Sequence, residues 1–273
     1  MNKLIPGQEL PAYTVIAHNY ATASDNRIHS DEVAAQYGFA GGLVPGVGNY
    51  AYLTRPVVEA LGRDWLARGA MTAKFLKPVY DGERVSAQAQ VSSTDPLTLS
   101  LELYNPAGTI CATGEASLPH SLPPPDLATY PACAPPESLL PATIAALPAG
   151  LTLGSLERQL NLAEMETGFV AEMRDELPLY RGAEAVCHPA LLPALANELL
   201  MRNVALGPWI HTASEVQHYS LPRDGETLSL QGRIAESYER RGHEFVVLDL
   251  ALFADAQGLV ARIRHTAIVR LRA

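Results

Sequence analysis

Residues 71–91, MTAKFLKPVYDGERVSAQAQV, and residues 214–234, SEVQHYSLPRDGETLSLQGRI, are two versions of one pattern. Each carries a proline, then Asp-Gly-Glu, then a run alternating apolar and polar residues. The triplets Asp81-Gly82-Glu83 and Asp224-Gly225-Glu226 fix the offset between the two copies. Period-two alternation puts Val85, Ala87, Ala89 and Val91 on one face of a strand, and Leu228, Leu230, Gly232 and Ile234 on one face of another. A hairpin pattern follows each run, at 99–118 and 246–269, with a turn ending in Gly108 or Gly258. The shared order of proline, triplet, strand and hairpin points to an internal duplication.

Ahead of its strands each half has an apolar, helix-like run: VGNYAYLTRPVVEALG at 47–62 and PALLPALANELLMRNVALG at 189–207. In the second, Leu192, Leu195, Ala196, Leu199 and Leu200 recur at the three-and-four spacing of a buried helix, and Pro189 suits a first turn. Helices are expected near 47–61 and 189–205. The offset that carries Asp81 onto Asp224 also carries Pro45 onto His188, so the two helix starts correspond. Between the halves, the stretch from Ser117 to Gly150 is dense in proline, which removes hydrogen-bond donors and marks a surface connector. The expected organisation is an α+β chain: residues 1–118, a linker at 119–150, and residues 151–273. Each half is expected to wrap an antiparallel sheet around one helix, giving two sheets.

The chain has 273 residues and 48% hydrophobic content, enough for a sizeable core. A net charge of −9 without a basic stripe argues against nucleic acid as a partner. There is no run of 18 apolar residues, so no membrane span is expected. MNKLIPGQELP lacks an apolar signal core, and Cys111, Cys133 and Cys187 are sparse and odd in number, so a cytoplasmic location is expected. The eight histidines lack paired ligand spacing, and no Gly-x-Gly-x-x-Gly follows a strand, so neither a metal nor an organic cofactor is expected.

Residues 24–47, SDNRIHSDEVAAQYGFAGGLVPGV, concentrate the candidate chemistry. Asp25, Asn26 and His29 cluster ahead of a capped helix start at Ser30-Asp31-Glu32. Imidazole titrates near neutral pH and can take and return a proton. Gly41, Gly42 and Gly46 permit close backbone approach, and a helix beginning at Gly46 and Val47 offers free amides to a developing oxygen anion. Trp209 and His211 read as strand packing, and Asn26 as a residue that bonds loop backbone.

The run Asn26-Arg27-Ile28-His29-Ser30-Asp31, with Tyr37-Gly38-Phe39 and Gly42-Leu43-Val44-Pro45-Gly46, resembles the MaoC-like hydratases and dehydratases. Phe75-Leu76-Lys77-Pro78-Val79-Tyr80-Asp81-Gly82-Glu83 resembles a later stretch of the same family. The likeness covers roughly residues 10–118. His188-Pro189-Ala190-Leu191-Leu192 looks like a helix entry in the second half of polyketide dehydratase domains. The resemblance implies a double hotdog fold and an Asp/His pair acting on an enoyl or 3-hydroxyacyl thioester of coenzyme A or an acyl carrier protein. On that basis His29 and Asp25 are the catalytic candidates, with Asn26, Gly46, Val47 and His188 binding substrate. A homodimer of double hotdogs is an open option. The chain departs from the pattern at several points: the family aspartate falls on Ser24, its proline on Arg27, its helix-entry histidine on Pro45, and the second-half acid on Pro193, with Asn197 one turn beyond. A hotdog thioesterase or cyclase-like enzyme, or a non-catalytic acyl-binding subunit, are the alternatives.

Overall fold

The computed structural model describes residues 4–272, so the outermost ends of the two expected halves lie outside it. The strands among the described residues are β1 (Tyr13–Ile16), β2 (Ala70–Phe75), β3 (Arg84–Thr94), β4 (Leu97–Tyr104), β5 (Ile110–Leu118), β6 (Leu140–Pro141), β7 (Thr152–Gln159), β8 (Val204–Ala205), β9 (Ile210–His218), β10 (Thr227–Arg240), β11 (His243–Ala254) and β12 (Gly258–Arg270). The helices are α1 (Asp31–Gln36), α2 (Gly46–Arg68), α3 (Leu162–Met165) and α4 (Leu191–Asn203).

The duplication is visible in hydrogen bonds. In the first half Gly82 donates to Ala17 O, Ala17 donates to Glu83 O, and Asp81 Oδ1 accepts from the Asn19 amide at 2.7 Å. In the second, Gly225 donates to Leu160 O, Leu160 donates to Glu226 O, and Asp224 Oδ1 accepts from the Leu162 amide at 2.8 Å. Every participant is displaced along the chain by the same offset as the triplets. The turn demands a left-handed residue at its centre, and Gly82 and Gly225 take φ of 77° and 81°. The expected strand faces are the buried ones: Val85, Ala87, Ala89 and Val91 on β3, and Leu228, Leu230, Gly232 and Ile234 on β10.

Ten strands form a single sheet, in the order β1-β3-β4-β5-β2-β9-β12-β11-β10-β7, and this corrects the expectation of two sheets. The join is the antiparallel pairing of β2 with β9, centred on Thr72 opposite Glu215, which are themselves equivalent positions of the two copies. The two halves therefore meet about a local pseudo-twofold axis, as two identical subunits would. Their backbone groups complete one ladder, and one hydrophobic core runs from Leu10 to Val269 across both halves.

Helix α2 packs against β1 to β5 and β9, and α4 against β7 to β10 and β12. Pro56 lies inside α2 without ending it, and the helix kinks at Gly62, where the apolar run was expected to stop. Pro189 lies just ahead of α4, not in its first turn, because His188 Nδ1 and O accept from Ala190 N and Leu191 N and form a separate turn there. In the connector 119–150 only Tyr130 and Leu147 are buried, and its short β6 pairs in parallel with β8. Among the described residues no helix is long and apolar enough to cross a membrane.

Candidate active site

The 24–47 stretch folds around one residue, Asn26. It caps a short 3-10 turn, Arg27–His29, and is 7% exposed. Its Oδ1 accepts from the Trp209 amide at 3.2 Å, and its Nδ2 donates to the Trp209 carbonyl at 3.0 Å. A side-chain amide thus pairs with the backbone of the second half as a strand neighbour would, and ties the loop to β9. The same Nδ2 lies 3.3 Å from His29 Nε2.

His29 Nδ1 lies 2.7 Å from the Leu43 carbonyl, which can only accept, so Nδ1 carries the hydrogen and neutral His29 keeps a lone pair on Nε2. Burial lowers its pKa below the ordinary histidine value, opposed by the Leu43 bond. The glycine pair serves this geometry. A Cβ on Gly42 would stand 2.1 Å from His29 O, and the Gly42 amide donates to Asp31 Oδ1 at 2.7 Å. The close approach that Gly42 allows is to the histidine's own backbone. Asn19 Nδ2 completes the clamp on His29 O at 2.8 Å.

A cavity of about 400 Å³ opens here. Its wall takes Ser24, Asn26, His29, Gly46 and Val47 from the first half. Phe169, Ala194, Asn197, Trp209 and His211 come from the second. Helix α2 begins at the cavity, and the Gly46 and Val47 amides have no intrahelical carbonyl to bond. Four sequence candidates, His29, Asn26, Gly46 and Val47, are therefore brought together.

Two others are not. Asp25 is exposed and outside the cavity wall, while Ser24 faces in. A shift of one residue in this bend turns the side chain outward, and the carboxylate candidate leaves the site. Among the described residues the wall contains no Asp or Glu. His188 is fully buried and also outside the wall. Its Nδ1 accepts from the Ala190 amide, so Nε2–H donates to Asp175, 3.3 Å away. It packs on Tyr180, with ring centroids 4.4 Å apart, behind the cavity residue Phe169. Asp175 also faces Arg55 at 3.4 Å. Burial works to raise the Asp175 pKa, but His188, the Leu177 amide and Arg55 together hold it below the ordinary carboxylate value.

Sequence reasoning missed His211. It is 6% exposed, stands in the cavity wall, and its Nδ1 has no partner. A Cβ on residue 46 would lie 2.8 Å from that nitrogen, so glycine is required where α2 meets the ring. Asn49, 4% exposed in the same wall, has its Oδ1 unpaired, as does Asn197. No local signal marks His211: its hydrogen-bond partner Ser214 is on its own strand, but the groups that make it a cavity residue, the His265 ring and Gly46, come from β12 and α2.

Structural comparison places this architecture. A protein of Chloroflexus aurantiacus described as a MaoC domain dehydratase superposes over 99% of this chain and 97% of its own, with a TM-score of 0.71 at 12% identity. A Mycobacterium tuberculosis protein described as having a double hotdog fold matches over 97% and 96%, with a TM-score of 0.64 at 16% identity. The fold is the double hotdog. An oleoyl thioesterase of Lactobacillus plantarum shares it over 97% and 98% of the two chains, with a TM-score of 0.56 at 10% identity. At these identities the double hotdog is what the likenesses establish, and the chemistry must be argued from the cavity. No protein-family model and no curated sequence relative matches the chain.

Proposed function

We propose that the chain is a MaoC-like hydratase or dehydratase acting on an enoyl or 3-hydroxyacyl thioester carried by coenzyme A or an acyl carrier protein. The observation that carries this reading is His29 Nε2, a neutral base held in an apolar cavity beside the free amides of α2. In the hydration direction Nε2 takes a proton from water as the water oxygen bonds to the β-carbon. Electron density moves to the thioester oxygen, which the Gly46 and Val47 amides receive. The imidazolium then returns its proton to the α-carbon, so His29 serves in turn as base and acid. In the resting site the Asn26 amide donates to this lone pair at 3.3 Å, so water displaces that contact before Nε2 takes its proton, and Ser24 in the wall can orient the water. With Asp25 facing solvent and no acid in the wall, one histidine carries the proton work.

The test is turnover of crotonyl-CoA, followed by loss of the enoyl absorbance. His29→Ala should lose about 10²–10⁴-fold, the usual contribution of positioned proton transfer, and should still fold, with a melting temperature lowered only by loss of the bond to the Leu43 carbonyl. Full activity in that variant would end the reading. Release of free thiol from saturated acyl-CoA, without hydration of crotonyl-CoA, would instead make the chain a thioesterase.

A further inference from the structure

The cavity wall has an imidazole that this reaction scheme does not use. His211 Nε2 lies 2.8 Å from Ser214 Oγ, and Ser214 Oγ lies 3.1 Å from His265 Nδ1. The two rings stack, with centroids 4.1 Å apart. At the outer ends of this chain of three groups, His211 Nδ1 and His265 Nε2 are both buried without partners.

A hydroxyl has one hydrogen, and among the described residues buried Ser214 Oγ has only these two rings as hydrogen-bond partners, so using that hydrogen means Ser214 donates to one ring and accepts from the other. Two arrangements exist. Either His211 Nδ1 carries a hydrogen and His265 Nε2 is a bare lone pair, or the reverse. An unpaired N–H is less tolerated in a protein interior than an unpaired acceptor. His265 is wholly enclosed at 0% exposure, whereas His211 forms part of a cavity wall at the start of α2. The arrangement that leaves the donor where a ligand can satisfy it puts the hydrogen on His211 Nδ1. Burial lowers the pKa of both rings; at His211 the neighbouring His265 adds to this and a backbone contact with Ala213 opposes it, and the net lowering keeps the donor a neutral imidazole.

Resting on the acyl-thioester reading, we propose that His211 is a catalytic residue whose Nδ1–H donates a hydrogen bond to the thioester carbonyl oxygen beside the Gly46 and Val47 amides. Two independent observations point to an oxygen ligand here: the unpartnered His211 nitrogen and the free amides at the start of α2 in the same wall. The first half then supplies the base and two amides, and the second half supplies the third donor. No bond to hydrogen breaks at His211. It polarises the carbonyl and stabilises the enolate oxygen as charge develops there. Ser214 and His265 act through His211 as positioning residues that set its tautomer.

The test compares wild type with His211→Leu, which removes the donor, and His211→Asn, whose amide nitrogen reaches the place of Nδ1. The readouts are crotonyl-CoA turnover and the infrared carbonyl stretch of bound crotonyl-CoA labelled with ¹³C at the carbonyl. Histidine ¹⁵N spectra, assigned by difference, report the tautomer. Wild type should show a lowered carbonyl stretch and a protonated Nδ1 on His211. His211→Leu should lose about 10²–10³-fold in turnover, typical of one oxyanion donor, and return the stretch toward its value in water. His211→Asn should retain most of both. A bare Nδ1 in the ¹⁵N spectrum, or an unchanged stretch and turnover in His211→Leu, overturns the proposal. Should His211→Leu fail to fold, Ser214→Ala with the same spectra decides: loss of the Nδ1–H form supports the relay, and its retention overturns it. A wild type that binds crotonyl-CoA with a lowered stretch but does not hydrate it refutes the hydratase reading while supporting the His211 contact. A wild type that does not bind it leaves the tautomer to decide.

Discussion

Asn26→Leu tests the join between the two halves at the candidate site. Leucine has the same branching and number of heavy atoms as asparagine, so the change removes hydrogen bonds without opening a cavity. The Trp209 amide then loses its acceptor and the Trp209 carbonyl its donor. Trp209 is 4% exposed, so water cannot replace them without opening the loop. Each buried backbone group left unpaired costs about 1–3 kcal/mol, which gives about 2–6 kcal/mol for the pair. The longer contact from the Ile28 amide, at 3.5 Å, adds little. For a chain of this size a loss of about 3 kcal/mol lowers Tm by roughly 6–12 °C. Urea titration gives the free energy from the midpoint, with an unchanged slope showing that the denatured state is unaltered. Crotonyl-CoA turnover should fall as well, because the loop that carries His29 loses its tie to Trp209. Asn26→Asp keeps the acceptor for the Trp209 amide but sets a carboxylate oxygen against the buried Trp209 carbonyl, so it should be destabilised as well. Stability of Asn26→Leu within about 0.5 kcal/mol of wild type, the range of a surface change, would refute the reasoning and show that Trp209 is hydrated in solution.

Gly46→Ala should destabilise by about 1–3 kcal/mol and reduce turnover, since its Cβ would meet His211 Nδ1 at 2.8 Å and Phe75 Cε2 at 3.1 Å. Thermal melts beside kinetics check this, and a neutral Gly46→Ala would place the ring elsewhere. Asp25→Asn should change turnover less than about twofold, because the side chain is outside the cavity; a loss approaching that of His29→Ala would restore the acid to the mechanism. The acid limb of turnover should lie below pH 6.5, because burial lowers the His29 pKa and leaves Nε2 free at mildly acidic pH; a limb above about 7 would contradict the buried base. Burial also depresses His218 to about 4, His265 to about 3, and His211 in the same direction. The unfolded chain therefore binds more protons below about pH 6.5. The contribution of these rings to stability is complete above that pH and is lost as pH falls, by about 1.4 kcal/mol per unit for each ring. Urea midpoints at a series of pH values measure the slope, and a flat profile from about pH 6.5 to 5 would mean that the rings are hydrated.

Much of the architecture was legible in residue order. The Asp-Gly-Glu turns, the alternation on β3 and β10 and the two apolar helices are local patterns, set by backbone sterics and by which face of an element meets water. Their repetition at a constant offset carried the duplication. The loop before α2 was legible in part: Asn26 bonds backbone and Gly42 permits a close backbone approach, but Ser30, expected to cap α1, makes no side-chain bond to the helix and donates to Arg27 O instead. The tertiary structure decided where side chains point and what lies across from them. Ser24 faces the cavity and Asp25 the solvent, because one residue of phase in a bend reverses direction, and no pattern in the sequence sets that phase. His188 precedes a helix as His29 does, yet it closes on Asp175 and Tyr180 because the second half folds a chain segment over it. His211, Ser214 and His265 meet across the neighbouring strands β9 and β12, far apart in the chain, and Gly46 reaches them from the other half. Even the single sheet rests on such a meeting, the pairing of β2 with β9. Hydrogen bonds and packing between distant segments depend on the closed fold, and only the closed fold shows them.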